Sequence, residues 1–400
     1  YAVGAVGTAN SYIGIFIIMF SIISSGMVSV MTQNIGAGRP GVAYQARQLG
    51  LLFNAVAGVL MAVFLFSGAG AILRMVGIAD ALYEPALIYL KIVGGGCILN
   101  AVIPIFSSYL RAFGYTKQPL YATIVGNIAN FVMNAVFLFV LHKGVAGVAT
   151  ATVISKILNL CIVLYFSHKL ISAKNSTERI ANKTVLGQIV KVGLPSACET
   201  ALYNVAMMLV IRFLNQMDAE GLNVTARSYT ATISNFSYCV GAALAQANAI
   251  MTGWHIGAGE LEECDRGTKR AAFVGVCVAV CMETAIVLGS GFIMPLFTDN
   301  PEMTALVRKL LAIDIVLEIG RVTNLVFGQA LKTSGDAVFP AVIAAVFMFV
   351  FAVGGTWLFG ISMGLMAVGA YIGLASDECV RAVGMVWRWK TGKWRTKKLV

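Results

Sequence analysis

Three ionisable residues lie four and three positions apart in an otherwise apolar stretch of the chain: Asp314, Glu318 and Arg321. These spacings place all three side chains on one face of a helix. A carboxyl group surrounded by apolar residues either holds a proton or, when ionised, binds a cation such as sodium. The stretch therefore predicts a site at which a proton or sodium ion competes with a cationic ligand.

Other ionisable residues in apolar stretches widen the candidate site. Glu199 and Arg227 fall in two consecutive stretches, and Glu283 lies alone in a third, with no charged residue one turn away. Arg321 is expected to keep a neighbouring carboxylate ionised. A purely structural interpretation stays open, in which Glu318 pairs with Arg321, or Glu199 with Arg227, to tie helices together.

The composition shows what kind of elements must position these residues. Hydrophobic residues make up 58% of the 400 residues and charged residues only 12%, whereas soluble domains carry about 25% charged residues. Apolar runs reach or approach the roughly 20 residues that a helix needs to cross a bilayer. They predict an all-α polytopic membrane protein with eleven spans, at 8–33, 46–69, 84–109, 119–141, 146–168, 187–214, 226–250, 270–297, 304–331, 338–359 and 364–388.

Two unrelated motifs recur at one offset. Ile35-Gly36-Ala37-Gly38 returns as Ile256-Gly257-Ala258-Gly259 (257 − 36 = 221), and Leu110-Arg111-x-x-Gly114-x-x-x-x-Pro119 returns at the same offset as Leu331-Lys332-x-x-Gly335-x-x-x-x-Pro340. A shared offset indicates a duplicated unit. In so apolar a chain, a duplicated helical unit is typical of a secondary transporter with its substrate path between the halves.

The duplication predicts two parallel, pseudo-symmetric six-helix bundles. Pro195 opens the second copy, and its counterpart would fall before Tyr1, so the first half is expected to lack its leading helix. The expected domains are an N-terminal lobe at 1–170, a cytoplasmic linker at 171–186, a C-terminal lobe at 187–388 and a basic cytoplasmic tail at 389–400.

The formal net charge of +11 does not indicate nucleic acid binding. Lys and Arg concentrate in the loops on one side of the predicted spans, which is the positive-inside pattern of membrane proteins. The eight cysteines and three histidines are scattered, without the spacing of a metal site or of a nucleophile and its base. The sequence therefore predicts no enzyme, no cofactor and no metal centre.

Taken together, the motifs resemble the multidrug and toxic compound extrusion (MATE) family. The resemblance covers the whole chain. It rests on Gln33 with Gly36 and Gly38, on Arg111, Gly114 and Pro119, on Asn127 in the following helix, and on Gly257, Gly259, Gly335 and Pro340 in the second half.

The resemblance implies an antiporter that exports organic cations or drugs in exchange for Na⁺ or H⁺ by alternating access. Its substrate would be a small cationic or amphipathic molecule, and its setting a bacterial inner membrane, where a monomer contacts lipid. One branch of the family uses acidic residues in the seventh and tenth helices. This chain has Tyr203 where that branch carries Glu, with Glu199 one turn earlier on the same face.

A second function class also stays open, a flippase for lipids or lipid-linked oligosaccharides built on a related fold. Such a cavity is expected to carry several cations for a phosphate headgroup, whereas acidic groups at least balance basic ones in the second half of this chain. A membrane enzyme or structural membrane protein is disfavoured by the duplication and by the lack of catalytic motifs.

Overall fold

The part of the chain that the computed structural model describes, residues 20, 22–75, 80–172, 178–218 and 220–400, is built of α-helices. The first half contains α1 (22–36), α2 (Pro40–Met75), α3 (Asp80–Gly95), α4 (Cys97–Ala112), α5 (Lys117–Ala135) and α6 (Gly144–Leu170). The second half contains α7 (Asn182–Met217), α8 (Leu222–Ala258), α9 (Leu261–Ile293), α10 (Pro301–Ser334), α11 (Val338–Phe347) and α12 (Met366–Lys390).

The helices confirm the predicted all-α, multi-span fold. Six helical segments of the described chain are long and apolar enough to cross a membrane: α2, α5, α6, α7, α9 and α11 with their short extensions. Helices α8, α10 and α12 have 37, 34 and 25 residues but carry more polar and charged side chains. The predicted span at 8–33 begins in residues outside the described part. The middle of the predicted linker at 171–186 also lies outside it.

The prediction of one unbroken helix at 84–109 is wrong, because this span is broken into α3 and α4. The two helices are bent by 40° and together have the length and apolarity of one span. The break falls at Gly96, whose amide donates to the Ile92 carbonyl at 3.1 Å. Three consecutive glycines, Gly94 to Gly96, lower helix propensity at this point and account for the bend.

The repeated motifs form the same backbone turns in both halves. Gly38 and Gly259 adopt left-handed conformations with φ of 73° and 80°. In both copies the amide after the glycine bonds to the carbonyl five residues earlier, at 2.8 Å. Gly114 and Gly335 repeat this arrangement with φ of 86° and 99°, and the equivalent bonds measure 2.9 and 3.0 Å. These are Schellman-type helix ends, which favour a residue without a Cβ.

A further turn repeats where the sequences do not match. α5 continues into a π-helical turn at Val136–Val140, and the helical segment that follows α11, with a π-helical stretch at Met348–Val353, ends in another at Thr356–Ser362. Each is followed by two residues with positive φ, His142 and Gly144 in the first half and Gly364 and Met366 in the second. The offset here is 222, one more than for the glycine motifs (364 − 142 = 222). The duplication is therefore visible in backbone conformation as well as in sequence.

The chain divides into two compact units, residues 1–197 and 198–400, called here the N-unit and the C-unit. The N-unit has a buried core around Leu65, Leu73 and Leu90. The C-unit has two larger clusters, one around Leu310, Leu317 and Tyr371 and another around Val326, Phe327 and Trp389. The boundary falls within α7.

The C-terminal residues fold back onto the C-unit. A short helix at Lys393–Thr396 buries Trp394, whose ring stacks on Trp389 with centroids 4.2 Å apart. Arg395 pairs with Glu262 at 2.7 Å. The predicted basic tail at 389–400 thus includes an ordered segment that packs on its own unit.

Candidate functional site

A cavity of about 320 Å³ lies within the C-unit and is lined by residues of α7, α8, α10 and α12. Its size is that of a small ligand pocket. Aromatic and aliphatic side chains form part of its wall, including Tyr203, Met207, Tyr238, Leu317 and Tyr371. Its charged wall consists of Arg227, Asp314, Arg321, Asp377 and Glu378.

Asp314 is the carboxyl group of α10 that faces this cavity. Helix α10 begins at Pro301, where the side chain of Asn300 accepts hydrogen bonds from the Glu302 and Met303 amides. This N-cap fixes the start of the helix and hence its register. Asp314 is 3% exposed, and its Oδ2 has no hydrogen-bond partner among the described residues. A buried carboxyl oxygen without a partner is unusual in a folded protein and indicates a site for a proton, ion or ligand.

Arg321 joins two other carboxyl groups beside Asp314. Its Nη1 pairs with Glu318 Oε1, so the structure contains the pair that their spacing allows. Its Nε lies 3.6 Å from Glu378 Oε1, and Asn324 Nδ2 donates to Glu378 Oε2 at 3.1 Å. Arg321 therefore links α10 to α12. This agrees with the structural interpretation of the sequence, in which Arg321 pairs with Glu318.

The ionisable residues of α12 were not predicted from the sequence. Arg381 Nη2 lies 2.8 Å from both Asp377 Oδ2 and Glu378 Oε1. These residues fall inside the predicted span at 364–388, at spacings of three and four, which is the same signal that identified Asp314, Glu318 and Arg321. Gly320 permits their approach to α10, because a Cβ on Gly320 would lie 2.7 Å from the Cys379 amide nitrogen.

Glu199 does not line the cavity that Asp314 lines, so the structure does not bring the two carboxyl groups to one wall. Glu199 pairs with Lys332 at 2.8 Å and does not line the cavity. Lys332 follows Asp314 by 18 residues, or about 27 Å along α10 at 1.5 Å per residue. Arg227 does not form the expected pair with Glu199 either; it lines the cavity, with its Nη2 3.7 Å from Met207 Sδ.

Glu283 of α9, which its sequence context ranked low, is fully buried. Its helix packs against α10, which carries Asp314 and Glu318. Both of its oxygens lack a hydrogen-bond partner among the described residues. Spacings of three and four residues along one helix could not identify Glu283, because the charged residues near it belong to another helix. Within the same described residues, no three of His, Cys, Asp and Glu converge to hold a metal ion.

Most residues of the family motifs lie at helix ends, and none of them lines the cavity. Gln33 is buried near the end of α1, Gly36 ends that helix, and Gly257 lies in the last turn of α8. Pro119 and Pro340 are buried in the first turns of α5 and α11. Arg111 Nε donates to the Ser107 carbonyl at 3.2 Å, and Asn127 is exposed on α5. All of them except Asn127, which lies in the middle of α5, are at or near a helix end.

Duplicated apolar helices and a charged cavity inside one unit define a membrane transport protein. The chain belongs to the MatE family, whose sequence profile matches residues 1–136 and 195–358. It is 31% identical over 402 residues to the uncharacterised transporter YisQ of Bacillus subtilis (strain 168), covering 99% of this chain and 88% of that one.

Solved structures agree on the fold. A MATE crystal structure in the straight conformation matches with a TM-score of 0.86 at 21% identity, covering 99% of this chain and 88% of the other. The outward-facing conformation of a multidrug resistance MATE family transporter of the MOP superfamily matches with a TM-score of 0.87 at 19% identity, covering 99% and 89%. The chain is thus a multi-pass integral membrane protein, and the Bacillus origin of its relative is consistent with a bacterial inner membrane.

Proposed function

We propose that this protein is a secondary active antiporter that exports organic cations in exchange for Na⁺ or H⁺ by alternating access. The observation that carries the proposal is Asp314, a buried carboxyl group that lines a cavity of about 320 Å³ with one oxygen left without a partner. A carboxyl group in this position binds either a coupling ion or a cationic substrate.

The balance of charge supports an exchange of cations. Five carboxyl groups of the C-unit interior, Glu283, Asp314, Glu318, Asp377 and Glu378, lie with three guanidinium groups, Arg227, Arg321 and Arg381. Ionised groups buried without a partner cost several kcal/mol each. Protons, sodium ions or a bound organic cation offset that cost. Because they compete for the same negative charge, uptake of one favours release of the other.

The remaining wall of the cavity suits an amphipathic cation. Tyr203, Tyr238 and Tyr371 provide aromatic faces, and Met207 provides a flexible apolar surface. Aromatic rings attract cations through their electron-rich faces, and methionine adapts to ligands of different shape. These side chains support broad recognition of aromatic or alkyl cations.

The same wall argues against a phosphate headgroup as substrate. Two guanidinium groups reach the cavity, but Arg321 is already engaged by Glu318 and Glu378, and three carboxyl groups line the same space. An anionic headgroup would meet net repulsion there. The flippase alternative is supported in this cavity by Arg227 alone, whose guanidinium lines it without an ion pair among the described residues.

A reconstituted transport assay tests the proposal. The purified full chain is placed in proteoliposomes, and movement of ethidium, a planar aromatic cation, is followed by fluorescence. A sodium gradient and a pH gradient are imposed separately, with membrane potential held at zero. We expect at least one gradient to drive ethidium against its concentration difference. Movement that ignores both gradients, or that requires ATP, would overturn the proposal.

A further inference from the structure

Arg227 is the cavity-lining guanidinium group that an exchange of cations leaves without a role. The other guanidinium group of the cavity, that of Arg321, is held by Glu318 and Glu378. Arg227 forms no ion pair among the described residues. Its Nη2 lies 3.7 Å from Met207 Sδ, and its buried Nε has no hydrogen-bond partner among the same residues. A guanidinium group is always charged and has five N–H donors, so Arg227 keeps donors available for a group from outside the protein.

The cavity therefore holds two unpaired groups of opposite charge, Arg227 and an ionised Asp314. An organic cation offsets the charge of Asp314 but leaves the guanidinium group of Arg227 without a partner, which is costly in a cavity wall. A simple anion pairs with Arg227 but also meets the three carboxyl groups of the wall, those of Asp314, Asp377 and Glu378. A ligand that carries one positive and one negative group offsets both charges at once.

Helix α8 (Leu222–Ala258) leaves room for such a ligand beside Arg227. Its cavity-lining residues at spacings of four, three and four form one stripe along the helix: Arg227, Ala231, Ser234 and Tyr238. The two residues in the middle of this stripe, Ala231 and Ser234, have the smallest side chains. They leave open the space between Arg227 and the aromatic ring of Tyr238.

The contact between Tyr238 and Arg321 fixes the relative depth of the two unpaired groups. The Arg321 Cζ lies 5.7 Å from the centroid of the Tyr238 ring, so these residues lie at one level of α8 and α10. The two helices run in the same direction, because α9 packs against both and returns the chain between them. Arg227 precedes Tyr238 by eleven residues, whereas Asp314 precedes Arg321 by seven. At 1.5 Å per residue, Arg227 lies about 6 Å nearer the helix starts than Asp314.

A carboxylate is the anionic group that suits Arg227. Its two oxygens match two parallel N–H groups of a guanidinium, and its single negative charge balances the single positive charge of Arg227. The cavity of about 320 Å³, with tyrosine rings in its wall, has the size of a small ligand pocket. Its features fit an aromatic molecule with a carboxylate at one end and a cationic group nearer Asp314.

We propose that Arg227 is a carboxylate-binding subsite of the cavity, so that the transporter takes zwitterionic aromatic molecules as substrates. This inference rests on the proposed antiport and narrows its substrate class from organic cations to those that also carry a carboxylate. In the bound state the ligand's carboxylate accepts hydrogen bonds from Arg227, while its cationic group faces Asp314. The two contacts together fix the orientation of the ligand along the cavity.

Two dyes that differ only in the carboxylate test this subsite. A rhodamine with a free carboxylic acid is a zwitterion at neutral pH, and the methyl ester of the same rhodamine is a cation. Binding of each dye to the purified full chain is measured by fluorescence polarisation. We expect wild type to bind the acid more tightly than the ester. Arg227→Gln should weaken binding of the acid about 10- to 100-fold, as for loss of a hydrogen bond to a charged group, without weakening binding of the ester.

Two further variants separate a direct contact from a general effect of charge. Lys309→Gln removes an exposed positive charge near the corresponding end of α10 and should leave both affinities unchanged. Arg227→Lys keeps the charge without the planar pair of donors and should retain part of the preference for the acid. Tighter binding of the ester than of the acid by wild type would overturn the inference. Equal weakening of both dyes by Arg227→Gln would also overturn it, as would equal effects of Arg227→Gln and Lys309→Gln on the acid.

Transport of the two dyes distinguishes this inference from the antiport on which it rests. Proteoliposomes containing wild type are loaded with either dye, and a sodium or pH gradient is imposed. We expect export of both dyes, with the acid half-saturating transport at a lower concentration. Export of the ester but not of the acid would overturn the carboxylate subsite and leave the antiport standing. Failure to export either dye with either gradient would overturn the antiport, while the binding preference would still decide the role of Arg227.

Discussion

The two units share their turns but differ in the chemistry of their interiors. In the N-unit, polar groups inside the helices bond mainly to neutral partners: Lys156 Nζ donates to Asn100 Oδ1 at 2.7 Å, and Asn130 Nδ2 donates to Ser155 Oγ at 3.4 Å. In the C-unit, carboxyl and guanidinium groups meet around a cavity. The comparison shows that glycine turns preserve a duplicated backbone while the buried side chains are free to specialise.

The difference follows from what each kind of residue must do. Gly38, Gly114, Gly259 and Gly335 adopt positive φ, which a side chain disfavours at every such helix end. An interior polar residue only has to find a partner, and amides satisfy each other without any ion. Carboxyl groups in excess of cations require protons or ions from outside. The C-unit is therefore the half that we expect to sense the ion gradient.

The largest predicted effect is on stability, and it distinguishes the charged interior of the C-unit from the interior of the N-unit, whose polar groups bond mainly to neutral partners. Arg381→Met leaves the buried carboxyl group of Asp377 without its guanidinium partner and leaves Glu378 with only the more distant Arg321, and breaking a buried pair costs about 3–5 kcal/mol. Lys156→Met removes one charge-assisted hydrogen bond of about 1.5–3 kcal/mol but also the cost of burying an ammonium group. We therefore expect a much lower apparent Tm in detergent for Arg381→Met than for Lys156→Met.

Thermal unfolding of both variants at one protein concentration and in one detergent provides the measurement. A double variant, Arg381→Met with Asp377→Asn, should recover part of the loss because it removes one of the unpaired charges. Equal destabilisation by Arg381→Met and Lys156→Met would contradict the distinction between the two interiors.

A smaller effect is expected at glycines where helices approach closely in each unit. A Cβ on Gly193 would lie 1.8 Å from the Ile22 carbonyl oxygen in the N-unit, and a Cβ on Gly320 would lie 2.7 Å from the Cys379 amide nitrogen in the C-unit. Overpacking typically costs about 1–3 kcal/mol. We expect Gly193→Ala and Gly320→Ala each to lower the apparent Tm, with the larger loss for Gly193→Ala because its clash is closer.

The two alanine variants differ in their expected effect on transport. Gly320→Ala pushes α12 away from α10 and so weakens the Arg321–Glu378 contact, which should reduce ethidium export beyond its effect on stability. Gly187→Ala is the control, because no atom lies within 4 Å of a Cβ there and alanine favours a helix by about 0.5–1 kcal/mol. A Gly187→Ala variant as unstable as Gly193→Ala would show that close approach is not the cause.

The smallest predicted effect concerns a carboxylate outside the spans that has all the partners Asp314 lacks. Asp218 Oδ1 accepts from the Leu222 amide at 2.8 Å, and Asp218 Oδ2 accepts from the Asn223 amide at 3.0 Å and from the Asn223 side chain. Partial burial raises the pKa of Asp218, but these hydrogen bonds outweigh it and hold the pKa below its usual range. The contacts resemble a helix N-cap at the start of α8.

A depressed pKa fixes the sign of the pH dependence. The ionised Asp218 stabilises the folded state above its unfolded pKa of about 3.9, and this contribution is lost as pH falls through the lower folded pKa. We expect Asp218→Asn to cost about 0.5–2 kcal/mol at pH 7, as for loss of a helix cap, and less under strongly acidic conditions. Apparent Tm values of both proteins across this pH range are the test, and a difference that grows with acidification would contradict it.

Much of the fold could be predicted from the sequence because its signals are local. Apolar runs indicated the helices, and the recurring Gly-Ala-Gly and Arg/Lys-x-x-Gly motifs identified the duplication, which the matching left-handed glycines confirm. The break at Gly96 was also visible as three consecutive glycines but was outweighed by the continuous apolar run around it.

The site was only partly predictable because its members come from four helices. Periodicity brought Asp314, Glu318 and Arg321 to one face, as observed. It could not show that Glu199 lies near Lys332, or that the helix of Glu283 packs against that of Asp314, since both depend on how helices pack. Asp377 and Arg381 carried a readable signal, an i,i+4 pair inside an apolar span, and were missed.

The most direct test of the account compares two carboxyl groups of the C-unit, Asp314, which lines the cavity, and Glu199, which pairs with Lys332 and does not line it. Ethidium export by proteoliposomes is measured under an imposed pH or sodium gradient for wild type, Asp314→Asn and Glu199→Gln. The account predicts that Asp314→Asn folds and inserts normally but loses gradient-driven export, because it can no longer bind or release the coupling ion. Glu199→Gln should keep most export. Full gradient-driven export by Asp314→Asn would contradict the account.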